Sequence, residues 1–167
     1  MNKRNEILEA IEDANLFLEN TDNSLMGYVE RAGWSSYYIL YDKKKLIKLI
    51  GDEPLHMLKE HLYFTKATLD EIITVDEELL IADGFNEAIL GYAETNEGSK
   101  MVIYDSEKCI EILQKDFEKE TRERNPGKTE EEISEETYQD AVEYFHYNTI
   151  GAYMGQKTPA FATLITE

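Results

Sequence analysis

The chain has 167 residues, of which 42% are hydrophobic, and its 17 Lys and Arg residues stand against 35 Asp and Glu residues, giving a formal net charge of −18. This length is enough for one domain with a hydrophobic core, and the apolar content excludes wholesale disorder. A single cysteine excludes an internal disulfide and favours a reducing compartment, while the negative charge excludes binding of nucleic acid or anionic lipid through clustered cations.

The N-terminal segment predicts a helix and carries no targeting pattern. The sequence MNKRNEILEAIEDA is charged throughout and lacks the uninterrupted apolar core of a signal peptide. Leu8, Ile11, Leu16 and Leu18 place an imperfect apolar stripe on residues 5–19. Because no stretch approaches the ~20 apolar residues of a membrane span, we expect an intracellular protein that makes no membrane contact.

An internal repeat organises the next part of the chain, where residues 25–50 align with residues 89–113. Two dipeptides recur, Gly27-Tyr28 as Gly91-Tyr92 and Tyr41-Asp42 as Tyr104-Asp105. Each copy contains an apolar run, a turn and an aromatic or β-branched run, which predicts a hairpin. The aspartate then caps a short helix, which includes residues 46–50 in the first copy, and a longer helix follows over residues 54–65 and 135–148.

The segments between and after the copies add strands and an insertion. Short strands are predicted for residues 72–75, 79–82 and 159–166. The second copy carries an acidic insertion at residues 115–134, where Asn125-Pro126-Gly127 in the middle and the scarcity of apolar residues predict a loop. Thr129 followed by Glu132 resembles a capping box that restarts a helix.

The predicted fold is α+β, with two copies of a hairpin-helix-helix unit related by a pseudo-twofold axis. Residues 1–66 are the degenerate N-terminal repeat, and residues 67–167 are the C-terminal repeat that carries the insertion. Since no low-complexity linker separates the copies, we expect them to share one core.

Negative charge is concentrated in two segments. Residues 52–97 hold twelve acids and two bases, and residues 116–143 hold eleven acids and four bases. Two interpretations stay open: the carboxylates keep helix surfaces solvated, or they imitate nucleic-acid phosphates and enter the basic cleft of a partner protein. Under the second interpretation the candidate contacts are Asp76, Glu77, Glu78, Glu130, Glu131 and Glu132.

Tyrosine dominates the aromatic residues, with 11 tyrosines against six phenylalanines and one tryptophan, a balance typical of interfaces. Trp34 and Tyr37 gather at the first predicted hairpin, where they either contact the partner or cover the N-terminal helix. A second group is expected mainly in the core, on the C-terminal helix and just after it: Tyr138, Tyr144, Phe145, Tyr147 and Tyr153.

The sequence carries no catalytic or metal-binding pattern. His56, His61 and His146 are far apart, and neither C-x-x-C nor H-E-x-x-H occurs. Cys109 occupies an apolar helical position, where a buried and inert thiol is expected. We therefore predict a protein that is not an enzyme and uses no metal or cofactor.

Several segments of the second copy form an ordered set: Ala82-Asp83-Gly84-Phe85-Asn86-Glu87-Ala88-Ile89-Leu90-Gly91, Tyr104-Asp105, Glu143-Tyr144-Phe145, Tyr147-Asn148, Gly151-Ala152-Tyr153 and Thr158-Pro159. This set, spread over residues 80–161, resembles a family of small, acidic and mostly uncharacterised proteins of bacteriophages and bacterial mobile elements. The resemblance implies a phage-like setting, and hence the cytoplasm of a bacterial host. It carries no catalytic residue over to this chain.

Acidity, the resemblance and the lack of a catalytic pattern together predict a binding protein. Its expected function is to inhibit a host nucleic-acid-handling defence system, of the anti-CRISPR or anti-restriction type, by mimicking nucleic acid. The partner would be a host or phage protein with a basic cleft, and a homodimer is left open. The alternative is a protein that sequesters a nucleotide immune signal between the copies, although few basic residues outside residues 43–48 are available to hold a phosphate.

Overall fold

The computed structural model describes the backbone of residues 24–31, 34–41, 46–50, 60–95, 98–155 and 157–165 and, within these, the side chains of residues 65–94, 98–155 and 157–164. The described residues form an α+β fold. Its strands are β1 (Ser24–Arg31), β2 (Trp34–Tyr41), β3 (Leu46–Ile50), β4 (Glu60–Lys66), β5 (Ile89–Thr95), β6 (Lys100–Asp105) and β7 (Ala160–Ile165). Its helices are α1 (Leu69–Val75), α2 (Ser106–Arg124) and α3 (Glu130–Tyr144), with a 3₁₀ helix at Asn86–Ala88 and a π-helical segment at Phe145–Ile150.

The described strands close into one barrel in chain order, because β7 pairs with both β6 and β1. Consecutive strands from β1 to β6 are antiparallel, and β7 runs antiparallel to β1 but parallel to β6. A parallel pair requires a crossover connection. Here the crossover contains α2, α3 and the π-helical segment, so these helices lie in the connection that closes the barrel.

Both faces of β6 are buried, which explains its unbroken run of apolar residues from Met101 to Tyr104. Val102 and Tyr104 belong to a core that also contains Cys109 of α2. Because side chains alternate between the two faces of a strand, Met101 and Ile103 face the barrel interior. The core on the helix side is completed by further buried residues from helices, from β7 and from the loop before the 3₁₀ helix: Ile72, Leu79, Phe85, Ala88, Leu113, Ala141, Phe145 and Phe161.

Local capping chemistry sets the start of the two long helices. The Asp105 side chain accepts hydrogen bonds from the backbone N–H groups of Glu107 at 3.0 Å and Lys108 at 3.3 Å, which begins α2. Thr129 and Glu132 form the predicted capping box at the start of α3. Both caps are confirmed, and so is the turn at residues 125–127 that separates the helices.

The two predicted hairpins are confirmed as β1–β2 and β5–β6, and the last strand is confirmed as β7. The helices predicted after the first hairpin are wrong where the structure describes them. Residues 46–50 form β3 and residues 60–66 form β4. An apolar segment this short fits either a helix or a strand. Both segments are strands because β3 pairs with β2 and β4 pairs with β5.

The hairpin-helix-helix unit is therefore present in the second half of the chain, whereas the described part of the first half continues from its hairpin into two further strands. The doubled unit with a pseudo-twofold axis is not confirmed. The predicted helix over residues 5–19 lies outside the described residues, as do residues 54–59.

Two predictions between the hairpins are corrected as well. Residues 72–75 belong to α1 instead of a strand, because Thr68 caps this helix by accepting the backbone N–H of Glu71 at 3.4 Å. Residues 79–82 are irregular and lead into the 3₁₀ helix. The prediction of a loop at residues 115–134 is wrong for most of that insertion, since α2 continues through it to Arg124 and α3 begins at Glu130.

Candidate functional site

Asp76, Glu77 and Glu78 lie in the turn that follows α1, where Asp76 has a structural role. Its Oδ1 accepts the backbone N–H of Glu78 at 2.9 Å, and its Oδ2 accepts the Lys157 ammonium at 3.2 Å. These two hydrogen bonds lower the pKa of Asp76 below its usual range. Lys157 also lies 3.6 Å from the Glu78 carboxylate, so part of this negative charge is compensated within the protein.

Glu130, Glu131 and Glu132 form the first turn of α3, where the helix dipole favours negative charge. Glu130 makes a bidentate ion pair with Arg122, at 3.1 Å from Nε and 2.7 Å from Nη2. This pair lowers the pKa of Glu130. Glu132 accepts the backbone N–H of Thr129 at 3.1 Å, so two of the three carboxylates have structural partners and Glu131 is exposed.

The two acidic triplets occupy the ends of different helices, and no hydrogen bond or ion pair links them in the described part of the chain. Trp34 and Tyr37 are placed on β2, where they pair with Arg31 and Tyr28 of β1. Their side chains lie outside the described residues.

A larger acidic surface lies between α2 and α3, and we call it the acidic groove. It has a volume of about 600 Å³ and is lined by four carboxylates: Glu120, Glu136, Asp140 and Glu143. Arg124 lies at one end, 4.0 Å from Glu120, and Lys128 pairs with Glu136. Asp140 and Glu143 are exposed and make no ion pair with other described residues.

A second, less open depression lies between the loop at residues 82–85, α2 and the segment before β7, and we call it the apolar cavity. It measures about 450 Å³. Its apolar walls are formed by Phe85, Ile112, Leu113, Met154, Pro159 and Phe161, and its polar lining residues include Asp83, Asp116, Asn148, Thr149 and Thr158.

Tyr104 lies beneath the apolar cavity and holds two of its lining residues in place, Ala82 and Phe161. Its hydroxyl accepts the backbone N–H of Ala82 at 2.7 Å, and its ring stacks on Phe161 at a centroid distance of 5.4 Å. Burial raises the pKa of Tyr104 to about 12, so this hydroxyl stays neutral. The loop at residues 82–85 is thereby tied to the sheet.

The π-helical segment joins the groove to the cavity, because Tyr144 and Asn148 line both. Segments with i→i+5 hydrogen bonds occur frequently at functional sites. Here the segment continues α3 directly and carries Asn148 and Thr149 along the cavity wall. The candidate site is therefore one continuous surface with an acidic half and an apolar half.

The C-terminal aromatic group that was expected mainly in the core is instead mainly exposed. Phe145 is buried, whereas Tyr138, Tyr144, Tyr147 and Tyr153 are exposed, with Tyr147 exposed to 82%. The buried side of α3 consists of smaller residues spaced by four, Ile133, Thr137 and Ala141. Exposed tyrosine is typical of interface hot spots, so this correction adds candidate contact residues at the site.

Sequence reasoning missed the apolar cavity, although its signal was present. The motif segments at residues 82–85, 148–152 and 158–159 are far apart in the chain and meet at this cavity. In the sequence these segments carry the resemblance, and their order along the chain does not predict that they lie together in space.

Groups able to act as nucleophiles or metal ligands do not converge in the described residues. Cys109 is fully buried, and burial raises the pKa of its thiol to about 12. No cluster of three or more His, Cys, Asp or Glu side chains suited to a metal ion occurs in the part of the chain that the structure describes.

Comparison with known proteins returned no match to a family model, to a curated protein or to a solved structure. The resemblance to phage and mobile-element proteins stays a prediction. Among the described helices, none is both long and apolar enough to cross a bilayer.

Proposed function

We propose that this protein is a phage-type acidic binding protein that inhibits a host nucleic-acid-handling defence system, of the anti-CRISPR or anti-restriction type. In this proposal it acts in the host cytoplasm by binding instead of catalysis, and its carboxylates occupy a basic cleft of the partner. The observation that carries the proposal is the acidic groove between α2 and α3, with exposed tyrosines beside it.

The spacing of carboxylates on α3 supports this mode of binding. Glu136, Asp140 and Glu143 line the acidic groove and follow one another at intervals of four and three residues, which corresponds to about 4.5–6 Å along a helix axis. One strand of B-DNA carries a phosphate about every 3.4 Å of axis. The row of carboxylates on α3 is therefore sparser than the phosphates of one strand, and Glu120 on the opposite wall of the groove adds one further carboxylate.

The structure also changes which carboxylates we assign to the partner. Asp76, Glu130 and Glu132 are already engaged in a turn, an ion pair and a cap. Asp140 and Glu143 have no such partner among the described residues, and a charge without an internal partner interacts more strongly with an external cation. We therefore place the main contacts in the acidic groove, and Glu131, which is exposed but does not line the groove, is a separate candidate contact.

Closure of the sheet supports a helical interface. The described strands each pair on both sides, so within them no strand edge is free to accept a partner strand. The helices α2 and α3 and the loops beside them remain for contact.

The decisive experiment measures protection of an infecting phage in cells that carry a defined CRISPR or restriction system. We expect the wild-type protein to restore infection and the double variant Asp140→Asn with Glu143→Gln to lose most of this activity. The matched control is Asp70→Asn with Glu71→Gln, which removes the same two charges from the exposed start of α1 and should retain activity.

The same variants test the electrostatic basis of the complex. Affinity for the captured partner should fall steeply between about 50 and 200 mM salt, as expected for interactions between exposed charges. Equal protection by both double variants, or affinity that does not change with salt, contradicts the mimicry mechanism.

The alternative of a nucleotide-sequestering protein finds less support in the geometry. Phosphate groups are bound by Arg, Lys or clustered backbone N–H groups. Arg124 is the one cationic residue that lines the acidic groove, and the lining of the apolar cavity contains no Lys or Arg among the described residues. Stabilisation of the protein by a nucleotide in a thermal-shift panel would favour this alternative.

For the fold, we propose that duplication produced the two hairpins and that the helical units were not shared. The support is that the recurring Gly-Tyr pair falls on β1 and on β5, and that the recurring Tyr41 and Tyr104 fall on β2 and on β6, while the described segments that follow the hairpins differ in secondary structure.

A further inference from the structure

The walls of the apolar cavity are built from residues that the core holds in place. Phe85, Leu113 and Phe161 are all buried members of the main core. The Tyr104 hydroxyl holds the backbone of Ala82 at the cavity edge. At about 450 Å³, the cavity falls in the size range of small-molecule sites, which are mostly apolar with a few polar groups that fix orientation.

The charged groups along this cavity have one sign. Asp83 and Asp116 both line it and both are exposed, and neither makes an ion pair with another described residue. Among the described lining residues there is no Lys, Arg or His. Asn148 and Thr149 add neutral polar groups on the wall opposite the loop.

We infer that the apolar cavity binds a cation carried on an apolar stem, that is, an ammonium or guanidinium group attached to an aliphatic or aromatic body. The body would lie against Ile112 and Phe161, and the cation would lie near Asp83 and Asp116. Burial of the body supplies most of the affinity, and the two carboxylates select for positive charge and against phosphates and carboxylates.

This chemistry has two sources, a free organic amine or the Lys or Arg side chain of a partner protein. The continuity of the cavity with the acidic groove through Tyr144 and Asn148 makes the second source compatible with the proposed function. Binding of a free amine does not depend on that function, so the two proposals can fail separately.

The test is an NMR titration of the ¹⁵N-labelled full chain at about 150 mM salt, where long-range attraction to the net charge is screened. The probes are 2-phenylethylamine, its neutral analogue 2-phenylethanol and the anionic 3-phenylpropanoate. Agmatine supplies a free guanidinium together with an ammonium group, and the peptide acetyl-Gly-Arg-Gly-amide supplies a guanidinium alone, as a side chain.

We expect 2-phenylethylamine to shift the amide signals of Gly84, Asn148 and Thr149 and to bind at least threefold more tightly than the alcohol. The anion should not bind. If agmatine and the peptide both shift these signals, the cavity binds such cations whether they are free or part of a protein. If the peptide shifts them and neither 2-phenylethylamine nor agmatine does, the cavity binds a side chain of a partner protein.

Two variants test whether the amine binds in the apolar cavity. Asp83→Asn with Asp116→Asn should weaken amine binding about three- to tenfold, as expected for two exposed charge pairs, and leave alcohol binding unchanged. Ala152→Phe should block the cavity, since Ala152 is exposed and lines it. The matched control Asp70→Asn with Glu71→Gln removes two charges from the exposed start of α1, outside both the cavity and the acidic groove, and should bind as the wild type does.

The inference is overturned if the alcohol or the anion binds as tightly as the amine, or if no probe shifts these signals at about 10 mM. It is also overturned if the cavity variant and the control weaken binding equally, because attraction would then come from the overall charge.

Discussion

Replacing Tyr104 with Phe tests whether one hydroxyl holds the loop of the apolar cavity against the sheet. The change removes the acceptor of the Ala82 N–H, a hydrogen bond of 2.7 Å. It leaves the ring, which is fully buried and stacked on Phe161, in place. An unsatisfied buried donor costs about 1–3 kcal/mol, and because this N–H is only partly buried we expect a value of about 1–2 kcal/mol.

For a chain of this size, such a loss lowers the melting temperature by about 2–4 °C for each kcal/mol. The Tyr104→Phe variant should therefore melt about 2–8 °C below the wild type. In urea the midpoint should fall while the slope of the transition stays constant, because the surface exposed on unfolding does not change. Circular dichroism follows both transitions.

The matched control is Tyr138→Phe, which makes the same chemical change at a side chain that is 54% exposed. It should alter the free energy of unfolding by less than about 0.5 kcal/mol. If Tyr104→Phe is as stable as this control, water must satisfy the Ala82 N–H at no cost. The hydroxyl would then have no role in holding the loop.

Three further changes test other parts of the fold. A Cβ on Gly91 would lie 2.1 Å from the Thr65 carbonyl oxygen, so Gly91→Ala should cost about 1–3 kcal/mol in urea unfolding. Cys109 is fully buried and its pKa is raised to about 12 by burial, so a disulfide reagent at pH 8 should react with it only after denaturant is added. The pKa of Asp76 is lowered by the Glu78 N–H and by Lys157, so the ion pair stabilises the fold above the unfolded pKa of about 3.9. This contribution is lost as the pH falls through the lower folded pKa, so the difference in urea midpoint between wild type and Lys157→Met should be full at pH 6 and should shrink as the pH is lowered towards 2.

Each of these expectations has an outcome that contradicts it. Gly127→Ala is the control for the glycine, because a Cβ there meets nothing within 4 Å, and equal costs at both positions would remove the clash argument. Rapid labelling of Cys109 in the native protein would place the thiol at the surface. A midpoint difference for Lys157→Met that persists unchanged at pH 2 would mean that the lysine stabilises the fold without Asp76.

The parts of the fold that the sequence predicts are those decided within a few residues. Asp105 caps α2 through backbone groups two and three positions away, and Thr129 and Glu132 cap each other. Such contacts form wherever the local pattern occurs. The turn at Gly84 is of the same kind, since its φ of 86° is readily available to glycine.

The parts that the sequence does not predict depend on distant pairing. The segment LIKLI at Leu46–Ile50 fits a helix as well as a strand, and its neighbours β2 and β4 determine the result. The tyrosines of α3 are exposed because the side of the helix that carries Thr137 and Ala141 is the buried side. Which side is buried depends on the surface against which α3 packs.

The candidate site illustrates the same limit. Its acidic half follows from composition, because segments so rich in Asp and Glu must expose them. Its apolar half exists because the loop at residues 82–85 meets residues 148–154 and 158–159 above Tyr104 and Phe161. Nothing in either segment alone specifies that meeting.

The position of β7 in the chain has a consequence for synthesis of the protein. A ribosome makes β1 and β6 long before Ala160–Ile165, the strand that both of them pair with. Until then the nascent sheet has two open edges, which are templates for aggregation. The helices α2 and α3 emerge during this interval and can shield the growing sheet on one side. Mutations that delay the formation of these helices should therefore reduce the yield of native protein more than they reduce its final stability.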